Sequence, residues 1–104
     1  METQALDIAL LNDRFRGMCI DVYYTTGVLH GIMDRVGLSQ AVESFNRFNE
    51  DNDPYGEYDF GSLTFEGKKI FWKTDYYDQK LKGWCDPLDS ACRRTLTIML
   101  ADEY

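Results

Sequence analysis

The chain has 104 residues, 44% of them hydrophobic, and a formal net charge of −7. That length supports a single α+β domain with one modest core, and that hydrophobic share excludes a disordered chain. The charge aids solubility and opposes direct nucleic-acid binding, because the eleven Lys and Arg are scattered and cluster no more densely than Lys68-Lys69 and Arg93-Arg94. The opening Met1-Glu2-Thr3-Gln4 carries no basic segment, and no long apolar run follows it. Neither a signal peptide nor a membrane span is expected, so the reading is cytoplasmic. Three cysteines, Cys19, Cys85 and Cys92, form no C-x-x-C and fit a reducing compartment.

A helix is predicted over 4–16, with Thr3 as N-cap and Ile8, Leu11 and Phe15 on one face. Gly17 offers its stop. Alternation over 18–25 reads as a strand, with Met18, Ile20, Val22 and Tyr24 on the apolar side. A short helix weakened by Gly31 follows over 28–36. A second, capped by Ser39, runs over 40–48 with Val42, Phe45 and Phe48 inward. Turn residues fill 50–57. Two strands, 60–65 and 68–75, are joined by Glu66-Gly67 as a hairpin, which sets Leu63 opposite Ile70 and Gly61 opposite Trp72. Asp86-Pro87 with Asp89 reads as the capped start of a C-terminal helix presenting Leu88, Cys92, Leu96 and Met99. The expected architecture is therefore a small three-stranded antiparallel sheet packed on one face by about four helices. The first helix and the C-terminal helix should rest on Ile20, Val22, Leu63, Ile70 and Trp72.

Several segments carry a resemblance: Leu11-Asn12-Asp13-Arg14-Phe15-Arg16, Phe45 with Phe48, and the run from Asp51 to Gly61. It continues through Phe71-Trp72-Lys73-Thr74-Asp75-Tyr76-Tyr77-Asp78, Asp86-Pro87, and the stretch from Arg93 to Ala101 with Glu103-Tyr104. Together they resemble a family of short bacterial proteins of unknown function found on plasmids, phages and chromosomes. Such proteins often have His where this chain has Tyr58, and Thr where it has Cys92. The resemblance implies no activity. Its mobile-element setting implies an inhibitor of a host nucleic-acid-binding defence complex, of the anti-CRISPR kind.

The acidic loop is the candidate site: Glu50, Asp51, Asp53, Tyr55, Glu57, Tyr58 and Asp59. Counted from Asp51 as a calcium loop, Asp53 and Gly56 fit the third and sixth positions, but Tyr55 and Ser62 fail the fifth and twelfth. A turn that caps its own amides is the commoner meaning of such residues. Asp59 with Glu66-Gly67-Lys68 superficially matches a metal-nuclease pattern, yet a hairpin turn at Glu66-Gly67 points the pair away from Asp59. His30 is the single histidine, and a structural role is favoured over a base for a cysteine nucleophile. Cys19 and Cys92 read as small core residues. No phosphate loop, G-x-S-x-G or dinucleotide fingerprint is present, so no cofactor, metal or catalytic residue is expected. Tyrosines beside carboxylates suit a basic partner, because rings give contact area and carboxylates pair with guanidinium. The expectation is a non-enzymatic acidic module that binds a basic protein surface, such as that of a nucleic-acid-binding complex. Alternatives are a divalent-metal-dependent hydrolase using Asp51, Asp53, Asp59 and Asp75, or an accessory subunit of a bacterial assembly.

Overall fold

The computed structural model describes residues 2–18, 20–49, 51 and 53–104, with side chains from Gln4 onward. Helix α1 spans Glu2–Met18, α2 Thr26–Gly31 and α3 Arg35–Glu43. The strands are β1 Val22–Tyr24, β2 Phe60–Phe65, β3 Lys68–Tyr77 and β4 Arg93–Leu100, followed by a 3-10 turn at Ala101–Glu103. The strands form one sheet in the order β1-β4-β3-β2, with β1 parallel to β4 and the other pairs antiparallel. The α+β class holds, but among the described residues the sheet is four-stranded and mixed, and three α-helices accompany it.

The hairpin forms as its turn chemistry requires. Glu66 and Gly67 both have positive φ, at 52° and 74°, the backbone that a two-residue turn between twisted strands needs. Leu63 pairs with Ile70 and Gly61 with Trp72. The indole lies under Gly61, where a Cβ would overlap its nitrogen.

The C-terminal helix is replaced by β4. Asp86 keeps only a local role: its Oδ1 accepts the Leu88 amide at 2.9 Å, and its carbonyl accepts the Asp89 amide at 2.9 Å. The run beyond has Thr95, Thr97 and Ile98, β-branched residues that lose rotamer freedom in a helix. It is also buried on both faces, with Leu96 and Ile98 on one and Thr95 and Met99 on the other. Such a strand lacks alternation and reads as a helix. Eight paired positions with β3, and three with β1, supply its partners.

Other boundaries shift for local reasons. Helix α1 runs through Gly17 to Met18, so the strand expected over 18–25 shrinks to three residues and Ile20 is 53% exposed rather than in the core. Thr3 falls within α1 rather than at its cap, and its side chain lies outside the described set. Thr25 caps α2, and Met33 and Val36 are exposed. Asp34, not Ser39, caps α3 by accepting the Gly37 amide at 2.9 Å. The Asp34 carboxylate occupies the space a Gly37 Cβ would need, so the glycine expected to end a helix lets one begin. Ile8 and Phe15 are buried as expected, but Leu11 is exposed and the buried stripe of α1 includes Asn12 and Arg16.

All three helices bury side chains in one cluster with the sheet: Phe15 from α1, Val28 from α2, Leu38 and Val42 from α3, against Ile70, Trp72, Leu96 and Ile98. Burying each large aliphatic side chain contributes about 1.5–3 kcal/mol. Among the described residues, no α-helix buries a side chain of this cluster from the opposite face of the sheet.

Candidate functional site

The acidic loop is organised by one of its own members. Asp53 is buried, and its Oδ1 accepts the amides of Glu57 at 3.0 Å and Tyr58 at 3.1 Å. Its carbonyl accepts the Gly56 amide at 3.1 Å, and Gly56 and Tyr58 take positive φ of 68° and 55° to close the turn. Asp53 is thus a loop cap. The Tyr58 ring stacks on Phe48, centroids 4.2 Å apart and nearly parallel, which turns one face of an expected contact ring inward. Asp51 is exposed and Tyr55 is 79% exposed. Glu50 lies outside the described residues. Burial raises the pKa of Glu57, helped by Asp59 and Asp53, and burial likewise raises that of Asp59, helped by Asp53 and Asp75.

A partly buried polar chain, centred on the buried Asn12, anchors this loop to the fold. Arg94 Nε donates to Asn12 Oδ1 at 2.7 Å, Asn12 Nδ2 donates to the Tyr76 hydroxyl at 2.8 Å, and that hydroxyl donates to Asp59 Oδ2 at 3.4 Å. Asn12 also donates to the Glu57 carbonyl at 2.9 Å. The Arg94 guanidinium lies over the Tyr76 ring at 5.3 Å. Burial is the main cause that pushes the Tyr76 phenol far above its ordinary pKa, so it stays a proton donor to Asp59. Beside this chain, buried Arg16 pairs with Asp13, donates to the Phe45 carbonyl at 3.0 Å and lies 4.9 Å from the Trp72 ring centre.

The helix-free face holds an open groove of about 510 Å³. Phe60, Phe71 and Tyr104 form its floor, with centroid separations of 5.2, 5.5 and 5.5 Å. Tyr55 and Asp59 bring the acidic loop to one side, and Lys73 and Asp75, paired at 3.3 Å, stand on another. The candidate residues therefore divide. Tyr55 and Asp59 reach the groove, Asp53 and Tyr58 build the loop, and Asp51 stays in solvent.

The profile of a protein of unknown function (DUF3768) matches residues 24–103. The chain belongs to that family. No curated protein and no solved structure matches the chain. The DUF3768 segment contains the acidic loop, the groove except Tyr104 and most of the sheet, and α1 lies outside it. Yet α1 supplies Asn12 to the polar chain and Phe15 to the core, so the DUF3768 segment packs against residues beyond its own limits.

The metal-nuclease pattern is undone by geometry. Glu66 sits at the hairpin tip and accepts the Met33 and Asp34 amides at 2.9 and 2.8 Å. Among the described residues, no three His, Cys, Asp or Glu side chains are grouped as metal ligands. His30 is exposed at the end of α2 rather than held in the core. Cys92 is half-buried, and Cys19 lies outside the described residues. No described helix is long and apolar enough to cross a membrane. Sequence reasoning missed Asn12, Arg16 and Arg94. Their signal was the four-residue spacing of Asn12 and Arg16 inside an apolar helical stripe.

Proposed function

We propose that the chain is a non-catalytic protein-binding module whose contact surface is the aromatic groove on the helix-free face. The observation that carries this reading is the packed trio of half-buried Phe60 and Phe71 with exposed Tyr104, beside the projecting Tyr55. Aromatic rings held in a rigid sheet give contact area at low entropy cost and are enriched where binding energy concentrates. Asp59 and Asp75 at the rim, Asp51 in solvent and the net charge of −7 favour a basic partner. A partner surface built to hold nucleic acid is of that kind, and covering it would make this protein an inhibitor of a defence complex, anti-CRISPR-like in effect.

Affinity capture with the parent chain and with a Tyr55→Ser/Tyr104→Ser variant tests this, followed by direct binding of each to the purified captured protein. Tyr55 is exposed and Tyr104, also exposed, packs on Phe60 and Phe71 by one face, so the variant should melt within a few degrees of the parent, and a melting curve checks this before binding is compared. The parent should retain a basic protein, and the variant should bind it more than tenfold more weakly, about 1.4 kcal/mol or more. Equal binding by both, or capture of nucleic acid alone, overturns the reading.

A further inference from the structure

The two edges of the sheet differ. Strand β1 is three residues long, whereas β2 spans Phe60–Phe65. The Thr74 amide donates to the Asp59 carbonyl at 2.8 Å, one step before Phe60 pairs with Lys73. Hydrogen-bonded pairs alternate along an antiparallel ladder, so Gly61, Leu63 and Phe65 direct their backbone groups at β3. Phe60, Ser62 and Thr64 turn theirs outward. Among the described residues, no strand pairs with that side of β2. Edge strands are ordinarily protected by a charge, a proline or a bulge. Residues 60–65 contain neither charge nor proline, and their register with β3 is unbroken. Beside this edge a groove of about 470 Å³ separates Ser62, Leu63 and Thr64 from Ala41 and Phe45 at the end of α3 and just beyond it.

We propose that β2 is a dimerisation edge, at which two copies of this chain join antiparallel, β2 to β2, into one continuous sheet. The outward backbone groups set the register. Ser62 lies opposite Ser62 of the second copy, and Phe60 and Thr64 lie opposite its Thr64 and Phe60. Each such pair exchanges its N–H···O=C bonds. The strand is thus complementary to itself, as a two-fold interface requires. Half-buried Leu63 comes opposite Gly61 of the second copy, where no side chain competes for the space beside the groove. Charge selects this occupant and this direction. Lys68 and Lys69 follow the hairpin end of β2, and Asp51, Asp53, Glu57 and Asp59 precede its other end. Glu66, also at the hairpin end, is engaged by the Met33 and Asp34 amides. Antiparallel pairing sets the basic end of each copy beside the acidic end of the other, whereas parallel pairing sets two acidic ends together. The two-fold axis stands perpendicular to the sheet, so both aromatic grooves open on the same side. The edge acts independently of what the groove binds.

Sedimentation equilibrium of the full chain over a range of concentrations tests the proposal. The expected species at high concentration has twice the 12.1 kDa chain mass and dissociates on dilution. Ser62→Pro removes the amide at the two-fold axis, which takes no part in pairing with β3, and should weaken the dimer at least tenfold. Thr64→Glu, at an exposed position, sets a carboxylate beside Asp59 of the second copy and should weaken it likewise. Its melting temperature in dilute solution should stay near the parent's. Leu10→Asp, on the exposed side of α1, should leave the dimer intact. Ser62→Cys should, on mild oxidation, form a disulfide between its two copies, because directly opposed residues of this kind lie about 5.5 Å apart at Cα. A monomer at every concentration assigns the edge to a strand of some other chain and overturns the proposal. A dimer insensitive to both edge variants, one broken by Leu10→Asp alone, or one in which Ser62→Cys forms no symmetric link overturns it too.

Discussion

At Asp53 a single carboxylate supplies the acceptors that the amides of Glu57 and Tyr58 lack within the turn. Asp53→Ala leaves those amides unpaired and should cost about 1–3 kcal/mol, read as a lower melting temperature. Asp53→Asn keeps an acceptor and should cost much less. Asp51→Asn, in solvent, should stay within about 0.5 kcal/mol of the parent. Asp59 and Glu57 behave differently. Burial and neighbouring carboxylates raise their folded pKa values, so each holds its proton more tightly folded than unfolded. Their contribution to stability is present at low pH and is lost as pH rises from the ordinary carboxylate range through those raised values. Asp59→Asn should therefore be more stable than the parent at neutral pH, and the difference should vanish as pH falls through the carboxylate range. A neutral-pH melting temperature below the parent's would refute that sign. Asp21, Glu66 and Glu103 have lowered pKa values from their hydrogen bonds and act in the opposite sense, their contribution fading at more acidic pH.

Among the elements, the hairpin was legible because its determinants are local. Glu66-Gly67 sets the turn, the turn sets the register, and the register puts Gly61 over Trp72. Gly61→Ala should cost about 1–3 kcal/mol through overlap with the indole. Trp72→Phe should recover part of that loss when combined with Gly61→Ala, although it is itself destabilising, so the pair should be non-additive in a double-mutant cycle. Strand β4 was not legible. Asp86-Pro87 and Asp89 satisfy the rules for a helix start, and Leu88, Cys92, Leu96 and Met99 keep helical spacing. What defeats them is non-local: β1 on one side and β3 on the other offer backbone partners along Arg93–Leu100. The same holds for α1, whose buried stripe includes Asn12 and Arg16 because Tyr76, Arg94, Phe45 and Trp72 meet them there.

For the whole molecule, one face of the sheet carries the helices and the core, and the other carries the groove. Charge and topology together set how the groove would meet a partner. With a net charge of −7, association with a basic partner should slow as ionic strength rises from low to physiological. Stopped-flow rates independent of salt would remove charge steering from the account. The core around Trp72, Leu96 and Ile98 is a cluster of apolar side chains, so melting with and without a chelator should coincide within error. A fall of many degrees on chelation would assign the acidic residues to a metal.

The α+β class, the hairpin with its register, the buried Trp72 and the exposed Tyr55 could all be read from the chain itself. Each depends on residues close in sequence, where backbone preference and hydrophobic period act directly. Tertiary structure alone decided that residues 93–100 form a strand, that β1 runs parallel to it, and that Asn12, Arg94, Tyr76 and Asp59 join in one polar chain. It also separated the residues of the acidic loop into Asp53, which builds the loop, and Tyr55 and Asp59, which reach the groove. The physical reason is common to all of these. A buried strand and a buried polar group are each stable only through partners far away in sequence, and local propensity carries no record of where those partners lie.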